Sequence, residues 1–214
     1  MLTGNTLVLK PKASTSPGET HAAMIVSEQE FDDVQFSGDF TTMRQLREGS
    51  PPNNWESAWA IFNHTDDDHF YYVAFKPNGW ELGKVDPRYG SYDPDTGVTI
   101  GDGGQRFLAT GTLPDFDVGS EHRFNIRVND NTITVRVDGE ILTTFTDTER
   151  PYMSGSVGFY TEDARVAFDN IRGSITEEFE RYPAGREYID GDFFGPWHVD
   201  YTGFGTAKIV DFDV

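Results

Sequence analysis

The sequence predicts an all-β protein, a two-sheet antiparallel jelly-roll sandwich, and three observations carry that prediction. Short apolar–polar alternations follow one another from end to end, with almost nothing of helical period. Turn formers are abundant, with 22 Gly and 11 Pro in 214 residues, and they fall between those alternations. Aromatic residues make up 14% of the chain, Phe alone occurring 17 times, which suits pleated, half-buried surfaces. The length fits one β domain, or a domain with an appendage, and is enough to bury a substantial core.

The elements read in order as follows. NTLVLKP alternates and stops at a proline; THAAMIVSE, DFTTMRQLRE and ESAWAIFNH are the second, third and fourth runs. HFYYVAFKPNGWELGKVD reads as two strands joined around Pro77-Asn78-Gly79, a strong hairpin signal. QRFLATG comes next, then HRFNIRVNDNTITVRVDGEILTTFTD, a meander turning at Asn129-Asp130-Asn131 and Asp138-Gly139. GSVGFYTE and ARVAFDNIRG close the series. Residues 86–104 read as a long polar loop. Residues 176–199 read as a connection, with turn signals at Pro183, Gly185, Gly191 and Gly195, before a strand-like tail. Residues 1–175 are therefore expected to form the sandwich core, with 176–214 an appended C-terminal segment.

Charge and composition exclude several classes. The formal charge is −19, from 36 acidic and 17 basic residues, with 22 Asp and only 5 Lys. Nucleic acid is thus not an expected partner, because its phosphates would be repelled. Such a surface suits high-salt or calcium-containing surroundings, and an extracellular or cell-surface location is expected. Cysteine is absent, which removes disulfides, thiolate metal sites and Cys nucleophiles. No run approaches the ~20 apolar residues of a membrane helix, and no signal-peptide pattern is visible, so no membrane insertion is expected.

NGWELGKVD, with HFYYVAFK before it, VRVDGEIL after it and GSVGFYTEDARVAFDNI near the end, resembles the concanavalin-like, laminin-G-type jelly rolls of bacterial and archaeal surface proteins. Among them the chain is most similar to the 3-keto-disaccharide hydrolase or laminarinase-like glycoside hydrolase domains, over roughly residues 5–173. The resemblance implies the fold; that fold hosts lectins, sugar-binding modules, lyases and hydrolases alike. Domains of this kind begin with an acidic-aromatic strand like EEFERYP, a segment like FGPWHVDYTGFG, and a strand like AKIVD turning into one like LVLKP. Here the first three lie at residues 177–211 and the last at 7–11. The resemblance therefore implies a circular permutant, whose C-terminal segment supplies the family's first strands. It would do so in cis or to a neighbouring subunit, the latter building a homo-oligomer or fibre by strand complementation. A tail carrying Phe193, Phe194, Trp197, Tyr201, Phe204, Ile209 and Val210 is too apolar to stay in solvent.

Sugar recognition needs aromatic faces for C–H-rich rings and fixed polar groups for hydroxyls. Alternation places His69, Tyr71, Val73 and Phe75 on one face of their strand, and Phe70, Tyr72, Ala74 and Lys76 on the other. Trp80, Leu82 and Lys84 share a side opposite Glu81 and Val85, and Trp55, Ser57 and Trp59 lie opposite Glu56. A concave sheet presenting Arg44 or Arg47, Gln45, Glu56, Tyr71 or Tyr72, Lys76, Trp80 and Lys84 suits an acidic or hydroxyl-rich polysaccharide or glycan. The competing reading is that the alternating aromatics fill the inter-sheet core.

No catalytic residue is assigned. The Glu-x-Asp-x-x-Glu motif that the resemblance to laminarinase-type glycosidases would imply is absent. His69, Tyr71, Gln45 and Arg47 are the residue types of a lyase but match no signature. Glu162 and Asp163, adjacent acids between two strands, read as structural turn residues. Calcium is the expected metal. Asp93, Asp95 and Asp102 sit on a Gly-rich loop and offer the hard oxygens it requires, though without the closing Glu of an EF-hand. The resemblance implies a second place, Asp169 with Glu178 or Glu180, tying first and last strands. HTDDDH offers a further metal-like grouping with His64 and His69, but three consecutive Asp in a polar turn read as solvated. The function expected is an extracellular carbohydrate-binding, lectin-like module stabilised by calcium. The alternatives are a surface filament subunit and a polysaccharide hydrolase or lyase.

Overall fold

The structure, a computed structural model, describes residues 3–93, 98–101 and 103–213. Its strands in chain order are β1 (Asn5–Lys10), β2 (Ala22–Ser27), β3 (Val34–Gln45), β4 (Ala58–Asp66), β5 (His69–Lys76), β6 (Gly79–Val85), β7 (Gly90–Asp93), β8 (Val98–Gly101) and β9 (Gln105–Gly111). They continue with β10 (Glu121–Asn129), β11 (Thr132–Val137), β12 (Glu140–Thr146), β13 (Ser156–Glu162), β14 (Ala164–Gly173), β15 (Glu187–Tyr188), β16 (Phe193–Phe194), β17 (Trp197–Tyr201) and β18 (Thr206–Asp211). Among the described residues no helix is long and apolar enough to cross a membrane.

Two eight-stranded antiparallel sheets make the sandwich. The first runs β12-β11-β10-β3-β14-β1-β18-β15, and the second β16-β17-β2-β13-β4-β5-β6-β9. The turn chemistry accounts for the hairpins: β5 passes to β6 through Pro77-Asn78, and β11 to β12 through Asp138 and Gly139, both at positive φ (52° and 89°). The described part of the 86–104 stretch is more structured than a loop. A single 3-10 turn at Pro87–Tyr89 leads into the small β7-β8 hairpin.

Between the sheets lies an aromatic core. Phe40 stacks on Phe75 at 4.1 Å, and Phe159 on Phe168 at 4.3 Å. Val34, Phe36, Phe124 and Ile126 from the first sheet meet Ala60, Phe62, Val73 and Leu82 from the second. Each of these side chains larger than Ala, fully buried, contributes about 1.5–3 kcal/mol of transfer free energy.

Residues 176–213 belong to both sheets of their own chain. β18 pairs with β1 from Asn5↔Asp211 to Lys10↔Thr206, and the Phe212 amide donates to the Gly4 carbonyl at 3.0 Å. β17 pairs with β2, from Trp197↔Ser27 to Tyr201↔Met24. Trp197 is fully buried and packs on Phe159 at 5.2 Å, while Phe179, Val199 and Ile209 join the same core. The strand-like ends of the sequence thus meet in one antiparallel ladder.

Candidate functional site

The outward face of the second sheet is the place where the fold collects aromatic and acidic side chains together. Period-2 alternation sends Tyr71, Val73 and Phe75 of β5 into the core and Phe70, Tyr72 and Ala74 to the other side. There they join Met24, Val26, Trp59 and Ile61, with Tyr160 and Tyr201 packed at the margin. Trp59 stacks on Tyr72 at 4.6 Å and leans on Tyr160 at 4.9 Å. Gly83 makes room for this layer, because a Cβ there would collide with the Tyr72 ring.

On that layer opens a groove of about 280 Å³ lined by Trp55, Trp59, Glu81, Gln105, Phe107 and Glu162. Trp55 and Phe107 stand exposed at 46% and 61%, two apolar plates flanking carboxylates. The Trp55 segment is held from below, where the Trp59 indole N–H donates to the Trp55 carbonyl at 2.9 Å. Glu81 accepts from the Tyr72 hydroxyl and from Lys76 Nζ, each at 2.8 Å. Glu162 accepts from the Tyr160 hydroxyl at 2.7 Å. Burial pushes the Glu162 carboxyl up to about 7; the Tyr160 hydrogen bond opposes this, and Asp163 and Glu56 reinforce it. At neutral pH that carboxyl can therefore exist in both forms, able to accept or to donate a hydrogen bond. Burial, reinforced by the neighbouring carboxylates, also raises Tyr72 and Tyr160, so both phenols stay protonated as donors.

The sequence-predicted residues fall into three places. Lys76, at the end of β5, reaches Glu81 beside the groove, and Tyr72 lies in the aromatic floor beneath it. Arg44 is exposed at the far end of β3, bordering a separate cleft of about 360 Å³ with Lys10, Lys12 and Phe204, while the Gln45 amide donates to the Asn53 carbonyl at 2.8 Å. The remaining candidates point inward, against the expectation that they face a ligand. Arg47 and Glu56 are buried partners, and Arg47 also holds Asp163 at 2.8 Å and the carbonyls of Ser16 and Glu19. Lys84, 1% exposed, donates to Asp147 and to the Glu149 and Arg150 carbonyls, and Tyr71 donates to the same Asp147 at 2.5 Å. Trp80 is buried against the core, its indole N–H donating to the Leu113 carbonyl at 3.1 Å. Hydrogen bonds to acids or carbonyls hold these side chains inward, although Glu56 Oε2 has no partner among the described residues.

The metal candidates divide as well. Asp95, Asp102 and the Asp93 side chain lie outside the described residues. Asp169 is buried near Asp39, Glu178 and Glu180; burial and these like charges push its carboxyl up to about 6. Glu178 is drawn to Arg172, and Glu180 accepts from the Asn5 amide at 2.9 Å. Asp163, with Glu162 read as a structural turn residue, does hold structure: it ties Arg47, Ser14 and the His21 amide. Glu162 faces the groove instead. Phe107 and Glu162 were not among the sequence candidates, although Phe107 is an apolar residue on an edge strand, where nothing packs over it.

Residues 3–173 match the family model described as a 3-keto-alpha-glucoside-1,2-lyase-like domain. No curated protein matches the chain. Among solved structures, the carbohydrate binding module CBM66 from Bacillus subtilis is similar with a TM-score of 0.53 at 14% identity, over 79% of this chain and 94% of that one. Sheep galectin-11 is similar with a TM-score of 0.44 at 12% identity, over 69% of this chain and 94% of that one. The first of these likenesses establishes a jelly-roll sandwich for the chain.

Proposed function

Because the chain belongs to the 3-keto-alpha-glucoside-1,2-lyase-like domain family, we propose that it is a carbohydrate-binding jelly-roll module whose ligand lies on the outer face of the second sheet. The observation that carries this reading is the groove between Trp55, Trp59 and Phe107 with Glu81 and Glu162 on its walls. Exposed aromatic faces cover the C–H side of a pyranose, and fixed carboxylates and phenols read its hydroxyls. Of the acidic or hydroxyl-rich glycans expected, the two carboxylates favour a neutral, hydroxyl-rich one. A glycan array probed with the full chain, with and without chelator, tests it. Selective binding lost in Phe107→Ala supports the reading; an array with no selective signal overturns it.

A second reading is favoured by one observation, the Glu162 carboxyl raised to about 7 in a groove that also holds Glu81. A carboxyl protonated near neutral pH and a second carboxylate in one groove are the residue types that glycoside cleavage uses. In that reading Glu162 is the acid and the protein is a polysaccharide hydrolase or lyase. New reducing ends, or unsaturated uronate absorbance, lost in Glu162→Gln would establish it.

The wider setting follows from charge. We place the protein outside the cell or at its surface, since −19 charges suit a medium whose ions screen their self-repulsion. Calcium at Asp169, Glu178 and Glu180 would relieve the crowding that raises Asp169, and a calcium-dependent rise in melting temperature would support it. Exchange of the β1–β18 ladder between copies is the route to a fibre; concentration-independent monomers in light scattering would exclude it.

A further inference from the structure

At one end of the same outer face two breaks in strand regularity bring together residues far apart in sequence. Asn63 adopts φ 47°, and the β4–β5 ladder slips between Phe62 and Asp66. Regular alternation from Trp59 and Ile61 would turn His64 inward beside Phe62. The bulge instead sends its ring outward, against Phe70 at 5.7 Å. The β17–β2 ladder slips between Val199 and Tyr201, leaving Asp200 between them opposite no residue of β2. Asp67 comes from the turn joining β4 to β5.

His64, Asp67 and Asp200 each offer one ligand atom, and these lie within 4.8 Å of one another. His64 is only 8% exposed, yet its Nε2 has no hydrogen-bond partner. It is aimed at Asp67, 4.0 Å from Oδ1. A buried ring nitrogen left unpaired beside two carboxylates is a costly arrangement for a site with no occupant. Among the described residues the ion pairs of Asp67 and Asp200 are with histidines only, His64 and, at 3.9 Å, His198. No lysine or arginine neutralises the pair.

We propose that His64, Asp67 and Asp200 form a binding site for a divalent first-row transition metal such as Zn²⁺ or Mn²⁺. One imidazole nitrogen with two carboxylate oxygens is a mixed donor set, which those ions accept, whereas calcium takes oxygen alone. A central ion lies within roughly 2.8 Å of every donor, so small side-chain rotations reach the ~2.0–2.2 Å bonds these ligands form. Three protein ligands leave at least one position open to water or a hydroxyl. The site joins the β4–β5 turn to β17, so the ion would also fasten the C-terminal segment to the rest of the sandwich. It differs from every acidic cluster expected to hold calcium, and it stands whether or not the groove binds sugar.

The test is calorimetric titration of the chelator-treated full chain with Zn²⁺, Mn²⁺ and, separately, Ca²⁺. One Zn²⁺ or Mn²⁺ per chain is expected. Affinity should fall by more than roughly tenfold in Asp67→Asn and in Asp200→Asn, while Asp169→Asn leaves it unchanged. Asp67 is exposed, so its substitution keeps the fold intact even where His64→Ala does not, and circular dichroism of each variant verifies this. In the Co²⁺-loaded chain, the visible absorption should shift in Asp200→Asn. Absence of a stoichiometric site, binding undiminished in both Asn variants, or a site filled by Ca²⁺ but not by Zn²⁺ or Mn²⁺ would each overturn the proposal.

Discussion

Leu7, in the first strand, sits directly opposite Ile209, in the last, and both are completely buried. This pair lies at the centre of the ladder that joins the two ends of the chain. In the facing sheet the C-terminal segment also delivers Trp197 and Val199 to the core.

Removing residues 176–214 should therefore abolish cooperative folding, since it strips strands from both sheets and leaves β1 and β2 as bare apolar edges. Thermal denaturation followed by circular dichroism would show no sigmoidal transition. Trp197→Ala is the milder version and should cost about 3–5 kcal/mol in urea denaturation.

Arg47 belongs to a buried network with Glu56 and Asp163. Arg47→Ala should destabilise by about 3–5 kcal/mol, because it leaves two carboxylates without their counter-charge. Equilibrium urea denaturation measures this directly. Were Arg47 instead a ligand contact, stability would hold and only sugar affinity would fall.

Phe107 and Trp55 are exposed, so replacing either by Ala should move stability by no more than about 0.5 kcal/mol. Affinity for the glycan selected on the array should fall about tenfold or more in each, the loss of one ring face being worth roughly 1–2 kcal/mol. Titration calorimetry beside thermal melting separates the two effects.

Glu162 predicts a pH dependence. Its carboxyl binds a proton more tightly in the folded chain, at about 7 against an ordinary value of 4.5. The folded state therefore holds more protons than the unfolded chain between those values, and stability falls as pH rises through that window. The groups facing it are Tyr160, Asp163, Glu56 and Arg47, with Tyr72 and Tyr201 close enough to feel its charge. Glu162→Gln should leave the melting temperature nearly unchanged at pH 4 and raise it relative to the parent at pH 8. An equal shift at both pH values would contradict a carboxyl that ionises only at cost.

Lys84 tests the opposite sign. Burial raises Asp147, but the bonds from Lys84 and Tyr71 outweigh it and hold the carboxyl below its ordinary value. Its contribution is present at neutral pH and is lost as pH falls below about 4. Lys84→Met should lower stability at pH 7 more than at pH 3, as measured by urea denaturation at each pH.

Period-2 patterns made the sandwich legible. HFYYVAFK divided its side chains between core and outer face as read, and the Pro77-Asn78 and Asp138-Gly139 turns fell where the strands required them. Charge misled at Arg47 and Lys84, since a cation on an alternating strand reads as solvent-facing until a distant acid, Asp163 or Asp147, is known to await it. Alternation also assumes an unbroken ladder, so it could not show that a bulge turns His64 outward. Nor can one strand's pattern reveal a ligand set shared with Asp200, which lies on the far side of the sequence. Phe107 and Glu162 were readable only as single residues; their meeting in one groove depends on β9 and β13 belonging to the same sheet.

The ladder between β1 and β18 has a mechanical consequence. Gly4 and Phe212 are hydrogen-bonded neighbours at one end of two antiparallel strands. A force pulling the two ends apart would load this ladder one hydrogen bond at a time, as a zipper, and not all its bonds together in shear. The sandwich can thus be stable at equilibrium yet open under modest tension, beginning at the seam where its ends meet.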